Sequence, residues 1–277
     1  MGTHPAFAAG NVAVITGAAD GIGLAAARKY QALGMRVCMA DIDANKLREA
    51  AAGLDNVLAI PTDVASRAHV DSLRHEVFET WGRVDVLMNN AGIGRPSSSW
   101  GNYDNWQAVL GVNLWGVING VQTFTAAMLE QGTPGLIINT GSKQGITTPP
   151  GNPAYNVGKA GVKALTEALQ HELRNTPGCQ ISAHLLVPGF TWTGMTRRAI
   201  AGQPAAAWTS EQVVDFLVES VNRGDFYVLC PDNDVDRATD NKRMAWAMGD
   251  LIHNRPPLSR WHPDFAAEFE AFVAAQD

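Results

Sequence analysis

The hydrophobic residues follow two alternating patterns along the first 230 positions of the chain. Short continuous apolar runs, such as VAVIT and VDVLMN, are separated by longer segments with a periodicity of about 3.6 residues, which is typical of amphipathic helices. Continuous apolar runs indicate strands buried on both faces, so the alternation favours a parallel sheet covered by helices. The predicted strands are residues 12–16, 36–40, 57–60, 84–89, 136–140, 181–187 and 226–230. The predicted helices include residues 22–33, 66–81, 105–131, 154–175 and 210–222.

Seven such strands fit an α/β, doubly wound (Rossmann-type) parallel sheet with helices on both faces. From residue 231 the chain becomes rich in Asp, Asn, Arg, Pro and Trp, and two further helices are predicted at 241–253 and 264–275. Neither an internal repeat nor a low-complexity linker divides the 277 residues, a length that one α/β domain can occupy. We therefore expect a single domain with a core at residues 11–230 and a C-terminal helical extension at 231–277. This extension is expected to pack on the core or on a neighbouring subunit.

Composition and charge narrow the range of partners. Hydrophobic residues make up 46% and charged residues 17% of the chain, which is ordinary for a compact protein. The formal charge of −6 repels phosphate backbones, and no basic run reverses it locally, so nucleic acid is not expected as a partner. The N-terminus lacks the charged and apolar regions of a signal peptide, and no segment reaches membrane-spanning length. These features predict a cytoplasmic protein.

The cysteines and histidines give no sign of a disulfide or a metal site. Cys38, Cys179 and Cys230 are odd in number and far apart, and we expect them to be reduced core residues. The seven histidines show no metal-ligand spacing with one another or with the cysteines.

A glycine-rich turn follows the first predicted strand and leads into a helix. Its sequence, TGAADGIG at residues 16–23, places glycine at Gly17, Gly21 and Gly23. Glycines let the backbone turn sharply and bring amide N–H groups and a helix N-terminus close to a pyrophosphate. Tight turns need glycine in any case, so the spacing alone is weak evidence. The position between the first strand and the first helix favours nucleotide binding.

Asp41, at the end of the second strand, predicts which dinucleotide binds. A carboxylate there can accept hydrogen bonds from both hydroxyls of an adenosine ribose, and it repels a 2′-phosphate. Asp20 adds a second negative charge inside the glycine turn, and no Arg or Lys stands nearby in the sequence. We therefore predict NAD rather than NADP. The alternative is that the DIDAN segment only caps the next helix, which Asp43 can do without Asp41.

Tyr155 and Lys159 are four residues apart at the start of a predicted helix. A tyrosine hydroxyl is mostly protonated at neutral pH, and the positive charge of a lysine one turn away favours its phenolate. Such a tyrosine can remove the hydroxyl proton of an alcohol or donate a proton to a carbonyl. The same spacing also arises by chance on solvated helices, so the pair by itself does not decide between the two interpretations.

Six short motifs occur in order along the chain. They are TGAADGIG, NNAG at 89–92, VNLWG at 112–116, INTGS at 138–142, YNVGK at 155–159 and PGFTWT at 188–193. Together they resemble the short-chain dehydrogenase/reductase family, in its compact single-domain branch, across residues 11–230. The resemblance implies hydride transfer between a nicotinamide cofactor and an alcohol or carbonyl.

The resemblance also implies roles for individual residues at the reacting end. Tyr155 is then the general acid/base, and Lys159 is both its electrostatic partner and a ligand of the nicotinamide ribose. Ser142, thirteen positions before the tyrosine, would hydrogen-bond the substrate oxygen. Asn113 would help hold a water next to the lysine. Without the resemblance, Ser142 would be a serine capping a loop at a strand end, and Asn113 a partnered polar residue inside a helix.

The cofactor contacts implied by the resemblance extend over the whole carboxyl edge of the sheet. Asp63 and Val64 would lie at the adenine, and Thr193 would hold the carboxamide of the nicotinamide. The complete predicted set is Gly17, Asp20, Gly21, Ile22, Gly23, Asp41, Asp63, Val64, Asn90, Ala91, Gly92, Tyr155, Lys159, Pro188, Gly189, Thr191 and Thr193. The segment of Asn90 to Gly92 is also expected to stabilise the central sheet.

The chain departs from the family pattern at three places. Gly158 and Gly141 stand where serines are usual, and we expect these changes to alter only packing. The glycine-rich segment with which many members end is absent, so assembly through that segment is in doubt. Small residues on the predicted helices, including Ala160, Gly161 and Ala164, favour a homodimer or homotetramer, although packing within one chain would use the same residues.

The loops after the fourth, fifth and sixth strands are expected to face the substrate, at residues 93–100, 144–153 and 190–208. Their Trp100, Phe190 and Trp192 suggest an apolar pocket for a cyclic or aromatic secondary alcohol, or else simply pack loop against core. Arg95 or Arg197 can meet a carboxylate. Two alternatives to an NAD-dependent dehydrogenase stay open: an NADPH-dependent carbonyl reductase of the same fold, and a non-catalytic dinucleotide sensor.

Overall fold

Seven parallel strands form one sheet in the computed structural model, which describes residues 2–197 and 202–275. The spatial order is β3-β2-β1-β4-β5-β6-β7. The strands are β1 Val12–Thr16, β2 Arg36–Asp41, β3 Val57–Pro61, β4 Val86–Asn89, β5 Gly135–Thr140, β6 Ile181–Val187 and β7 Tyr227–Leu229. The prediction of an α/β doubly wound, seven-stranded parallel sheet is therefore confirmed.

The central strands consist of buried apolar residues because helices cover both faces of the sheet. Two hydrophobic clusters, one on each face, contain alternating residues of the same strand: Ala13 and Ile15 belong to one, and Val12 and Val14 to the other. The chain order reverses between β1 and β4, which pair through Ala13 with Val86. In sheets of this kind, ligands bind at such a switch point, outside the carboxyl ends of the strands.

The helices follow the predicted segments, with small shifts at their ends. They are α1 Gly21–Ala32, α2 Ala44–Ala51, α3 Arg67–Trp81, α4 Tyr103–Leu110, α5 Gly116–Glu130, α6 Gln144–Thr147, α7 Pro153–Asn175, α8 Gly194–Arg197, α9 Ser210–Arg223, α10 Arg237–Ile252 and α11 Ala266–Ala274. Side-chain caps fix several of the starts. Asp43 accepts from the Lys46 N–H at α2, and Asn152 accepts from the Tyr155 N–H at α7.

The predicted helix at residues 105–131 is interrupted by a turn of π-helix at Gly111–Trp115, between α4 and α5. The buried Asn113 lies inside this π turn, and its amide bonds to the Ile93 backbone instead of facing solvent. Single π turns in α-helices are frequent at functional sites. Hydrophobic periodicity does not reveal such a turn, because the apolar face continues through it.

The C-terminal extension packs on the chain's own core. Trp246 of α10 is buried, and the Arg255 guanidinium lies 4.0 Å from the centre of its ring. Asp250 joins α10 to the following 3-10 turn at Ser259–Trp261, because its carboxylate accepts from the Ser259 N–H at 3.0 Å. Asp240 of α10 is buried and reaches a lysine of the core.

Three sequence-based expectations concern the remaining features of the chain. Cys38 and Cys230 are buried and Cys179 is partly exposed; all three are free thiols. Within residues 2–197 and 202–275, no group of His, Cys, Asp or Glu side chains could hold a metal ion. In the same two ranges, every helix is too short or too polar to cross a membrane.

Candidate active site

The backbone is packed so closely in the glycine turn between β1 and α1 that two of its glycines have no room for a side chain. Gly17 has φ +66°, and a Cβ atom there would lie 2.7 Å from the Ala91 Cα. A Cβ on Gly23 would lie 2.2 Å from the Gly17 carbonyl oxygen. Asp20 caps α1, and Ile22 stands in its first turn. The glycines therefore allow close backbone packing beside the N-terminus of α1, and this arrangement, called the glycine cradle below, suits a pyrophosphate.

Asn90 connects the glycine turn to the centre of the sheet. Its amide nitrogen donates to the Thr16 carbonyl at 3.1 Å, and its amide oxygen accepts from the Thr140 hydroxyl at 3.3 Å. The backbone N–H groups of Asn90 and Ala91 both donate to the Thr16 hydroxyl. This part of the NNAG motif accordingly holds β1, β4 and β5 together where the cradle begins.

Asp41 ties the glycine turn to the end of β2. Its two carboxylate oxygens accept from the Ala19 and Asp43 N–H groups, each at 3.1 Å. Asp43 caps α2, as the sequence suggested, so Asp41 is not needed for that cap. The Asp41 carboxylate is partly exposed at the carboxyl edge of the sheet, and each oxygen keeps a further lone pair for an external donor.

The expectation that no cation lies near Asp20 is wrong. The Arg197 guanidinium at the end of α8 is 2.7 Å from the second carboxylate oxygen of Asp20. These residues are 177 positions apart in the sequence, so inspection of the neighbouring sequence could not reveal the pair. The charge of Asp20 is therefore neutralised, and Asp41 alone carries the charge argument for the cofactor.

Asp63 and Val64 follow β3, the strand next to β2 in the sheet. Asp41 is paired with Pro61 in the register, which places Asp63 beside the Asp41 end of the cradle. One Asp63 oxygen accepts from the Ala65 N–H at 3.0 Å. Val64 is buried, and its carbonyl accepts from the Asn119 amide. The predicted adenine contacts thus lie along the same sheet edge as the cradle.

Tyr155 and Lys159 lie on one face of α7, over the ends of β4 and β5. The Lys159 ammonium is 5.8 Å from the centre of the Tyr155 ring, and it donates to the Thr140 carbonyl at 2.7 Å. Lys159 is only 3% exposed. The Ser142 hydroxyl, two residues after β5, is near enough to the Tyr155 phenol to affect its pKa. The structure therefore brings the three predicted residues of the reacting end together.

Burial determines the proton affinities of this pair. It raises the pKa of the Tyr155 phenol, and the hydrogen bond from Ser142 lowers that pKa only in part. Burial also lowers the pKa of the Lys159 ammonium to about 8. The sequence-based expectation was a lowered tyrosine pKa. In the ligand-free chain the direction is opposite, because desolvation of the phenolate outweighs the interaction with Ser142.

Asn113 and Lys159 converge on Gly92. A Cβ on Gly92 would lie 3.5 Å from the Asn113 amide oxygen and 3.7 Å from the Lys159 Nζ. Both hydrogen-bonding groups of the Asn113 amide already bond to the Ile93 backbone, at 2.8 and 2.9 Å. The asparagine thus fixes the loop after β4 beside the lysine. Its side chain is hydrogen-bonded within the protein, as expected for a partnered polar residue inside a helix.

The residues after β6 bring the other end of the cofactor set against the glycine turn. A Cβ on Gly21 would lie 3.1 Å from the Thr193 Cβ. The Thr191 hydroxyl donates to the Gly189 carbonyl at 3.2 Å, and the Pro188 carbonyl accepts from the Lys143 N–H at 3.3 Å. The predicted contacts of this segment are therefore neighbours in space of the predicted pyrophosphate contacts.

Gly141 and Gly145, near Ser142 and Lys159, are closely packed, whereas Gly158 is less so. A Cβ on Gly141 would lie 3.1 Å from the Leu185 Cδ1, whereas one on Gly158 would meet only the Asn113 Cβ at 3.4 Å. Gly145 was not predicted to matter, yet a Cβ there would lie 2.6 Å from the carbonyl carbon of Lys159. Helix α6 therefore rests directly on the catalytic turn of α7, which only the three-dimensional structure reveals.

A buried charge cluster beside Ser142 was also missed. The Lys143 ammonium lies 2.6 Å from the Asp240 Oδ2 and 3.4 Å from the Asp232 Oδ2. Asp232 follows β7 and Asp240 belongs to α10. Separations of 89 and 97 positions hid this cluster from sequence reasoning.

The aromatic residues of the expected substrate loops differ in their surroundings. Trp100 is 93% exposed, so it neither lines a closed pocket nor packs on the core. Phe190 and Trp192 are partly buried and both form backbone hydrogen bonds with Trp208. Arg95 is exposed. Residues 198–201 of the predicted loop 190–208 lie outside the described residues.

Comparisons with known proteins agree with this fold and site. The family model described as short chain dehydrogenase matches residues 11–204. The chain is 30% identical over 259 residues to 1-deoxy-11-beta-hydroxypentalenate dehydrogenase of Streptomyces exfoliatus, covering 90% of this chain and 93% of that protein. It is 34% identical over 195 residues to 2-(R)-hydroxypropyl-CoM dehydrogenase of Xanthobacter autotrophicus, covering 67% and 76%.

A solved structure is similar over nearly the whole chain. A short chain dehydrogenase/reductase from Burkholderia phymatum in complex with NAD aligns with TM-score 0.82 at 31% identity, covering 93% of this chain and 98% of that one. The fold and the ordered site residues define a Rossmann-type oxidoreductase. The chain belongs to the short-chain dehydrogenase/reductase family.

Proposed function

We propose that this protein is an NAD-dependent dehydrogenase that interconverts a secondary alcohol and its ketone, with Tyr155 as the general acid/base. One observation carries the proposal: the Tyr155 side chain, Ser142 and the buried Lys159 ammonium come together beside the end of β5, on the same sheet edge as the glycine turn. The printed names of two relatives, a hydroxypentalenate dehydrogenase and a hydroxypropyl-CoM dehydrogenase, support an alcohol as substrate.

The described residues fit a dinucleotide. Close backbone packing at Gly17 and Gly23 excludes any Cβ beside the N-terminus of α1, which suits pyrophosphate binding, and Asp41 offers a carboxylate to ribose hydroxyls. The NAD bound to the Burkholderia phymatum structure supports NAD as the cofactor. When bound, the nicotinamide supplies the hydride acceptor for alcohol oxidation or the hydride donor for carbonyl reduction. The assignment of NAD over NADP rests on the Asp41 carboxylate.

The chain's own residues handle the proton and the orientation of the substrate. In oxidation, the Tyr155 phenolate oxygen removes the hydroxyl proton of the alcohol, and in reduction the phenol donates that proton to the carbonyl oxygen. Ser142 hydrogen-bonds the same substrate oxygen. Lys159 stabilises the phenolate through its charge, and Asn113 holds the loop beside the lysine. Because burial raises the tyrosine pKa, the protonated form prevails at neutral pH, and alcohol oxidation should accelerate as pH rises.

We also infer that the substrate is apolar or cyclic and that the chain forms a homo-oligomer. The partly buried Phe190 and Trp192 after β6 support an apolar substrate. Two apolar side chains that face solvent, Trp115 on the π turn and Val157 on α7, support self-association. Exposed apolar side chains mark an interaction site where they form a contiguous patch.

The test is turnover of a panel of cyclic and open-chain secondary alcohols with NAD⁺, combined with NADH titration by fluorescence. Tyr155→Phe should lower kcat by about 10² to 10⁴ while the NADH affinity stays close to that of the wild type. Tyr103→Phe, at an exposed tyrosine outside the site, is the matched control and should retain full activity. Equal turnover in wild type and Tyr155→Phe would contradict the proposal, and NADH binding without any turnover would favour a sensor.

A further inference from the structure

Lys143, Asp232 and Asp240 form a buried charge cluster next to Ser142. All three side chains are largely buried, at 17%, 8% and 6% exposure. Among the described residues, Lys143 is the ion-pair partner of Asp240, with its Nζ 2.6 Å from the Asp240 Oδ2. The cluster holds two carboxylates for one ammonium.

The cluster connects three sheet ends to the C-terminal extension. Lys143 begins α6 directly after Ser142, and its N–H donates to the Pro188 carbonyl at the end of β6. The Asp232 Oδ2 accepts from the Phe190 N–H at 3.3 Å. The segment between these bonds is tightly enclosed: a Cβ on Gly189 would lie 2.8 Å from the Asp232 Oδ2 and 3.0 Å from the Lys143 Nζ.

Such an arrangement is not explained by stability alone. Burying charged groups removes them from water, and well-packed apolar residues of similar volume would often stabilise the fold as well or better. A buried ion pair does, however, fix geometry, because its partners can satisfy one another only at one distance and orientation. Here that geometry applies to the residue after Ser142 and to the turn after β6.

We propose that Asp240 of the C-terminal extension is a positioning residue: through Lys143 it holds the Ser142 segment and the turn at Pro188–Gly189 in the arrangement that catalysis requires. This role rests on the proposed function, in which Ser142 orients the substrate oxygen. The extension therefore completes the site from a part of the chain that the family motifs do not reach.

The experiment compares Asp240→Asn with Asp250→Asn. Asp240→Asn leaves Lys143 paired with Asp232, so the fold retains a charge-balanced cluster. Asp250→Asn is the matched control, because Asp250 also stands on α10 and pairs with Arg255 and Ser259 without touching the core cluster. Lys143→Arg is a second variant that keeps the cation for both carboxylates but changes its shape.

Two readouts are measured for each variant. Hydrogen–deuterium exchange of the ligand-free proteins should be about fivefold faster at residues 141–147 and 188–190 in Asp240→Asn than in wild type, and unchanged there in Asp250→Asn. Steady-state kinetics should show kcat lower by about tenfold or more in Asp240→Asn and Lys143→Arg, with KM for NAD⁺ within about twofold of wild type.

The inference is overturned by unchanged exchange at both segments in Asp240→Asn. It is overturned equally by faster exchange without loss of kcat, or by an equal loss of kcat in Asp250→Asn. A wild type that turns over no alcohol contradicts the proposed function instead, and the exchange comparison then still decides whether Asp240 holds the Ser142 segment.

Discussion

The Asp41 carboxylate combines a structural contact with the charge on which the proposed choice of NAD rests. It accepts from two backbone N–H groups, of Ala19 and Asp43, so part of its role is to hold the glycine turn against β2. Its position at the sheet edge also places a negative charge where a 2′-phosphate would lie. Because Asp20 is paired with Arg197, the proposed choice of NAD rests on Asp41 alone.

Asp41→Ser should shift the preference toward NADPH. Loss of the charge removes the repulsion of the 2′-phosphate, so the ratio of kcat/KM for NADPH to that for NADH should rise at least about tenfold. Asp43→Ser is the matched control, because serine can still cap α2 and that position does not face the ribose. A ratio that stays at the wild-type value in both variants would show that Asp41 is purely structural.

Burial of the Lys159 ammonium near Tyr155 should destabilise the ligand-free fold. Burial lowers the pKa of its ammonium from the ordinary 10.5 to about 8. Below pH 8 both the folded and the unfolded chain carry the proton, and burying that charge costs on the order of 3 kcal/mol. Between pH 8 and 10.5 only the unfolded chain holds the proton, so the cost declines and stability rises with pH.

Lys159→Met should therefore show a stability gain that depends on pH. The stability gain is the free energy of unfolding of Lys159→Met minus that of wild type. It should shrink by up to about 3 kcal/mol between pH 7 and pH 10, because the wild type becomes more stable as pH rises. Loss of the bond to Thr140 adds an offset that does not change with pH. Denaturant titrations at both pH values measure the difference. Lys163→Met, at a partly exposed lysine one turn along α7, is the control and should show no such trend.

Helices α6 and α7 can pack closely because Gly145 has no side chain. Gly145→Ala would place a Cβ 2.6 Å from the Lys159 backbone and push α6 away, which should cost about 1–3 kcal/mol and lower kcat. Gly158→Ala meets only ordinary contacts, with Asn113 and Leu110, and should stabilise by about 0.5–1 kcal/mol, since it removes a glycine from the interior of α7. Chemical denaturation of both variants checks these opposite signs; two effects of the same sign would contradict this packing.

The elements that the sequence predicted well are those whose signal is local. Strand β1 and strand β6 match their predicted ranges residue for residue, because strands buried between two layers of helices consist mainly of apolar residues. The π turn at Gly111–Trp115 was missed, since it changes hydrogen bonding without changing the apolar face. The end of β4 was predicted, whereas its start was placed at residue 84 rather than Val86.

Site residues with a local sequence signal were predicted, whereas contacts between distant segments were not. Tyr155 and Lys159 were found because one helical turn brings them together, and Ser142 because a family motif marks it. The pairs Arg197–Asp20 and Lys143–Asp240 join segments far apart in the sequence, and their formation depends on how loops and the extension fold over the sheet edge. The direction of the Tyr155 pKa shift also depends on burial, which residue spacing does not give.

At the scale of the whole molecule, the proposed self-association rests on two exposed apolar side chains, Trp115 and Val157. Trp115 is 56% exposed and Val157 48% exposed. The small residue Gly161 is already used within the chain, because a Cβ there would lie 2.8 Å from the Leu114 Cδ1. Assembly through this face would therefore depend on Trp115 and Val157 more than on the stripe of small residues that the sequence emphasised.

Light scattering coupled to size-exclusion chromatography should give the wild type the mass of a dimer or tetramer, and Trp115→Glu should shift it to a smaller species. A charge buried in an apolar interface without a partner is strongly unfavourable, so the equilibrium moves toward separate chains. Leu251→Glu, at an exposed leucine of α10, is the control and should leave the mass unchanged. The opposite result, dissociation by Leu251→Glu alone, would place the interface on the C-terminal extension. A monomeric wild type would contradict self-association through either face.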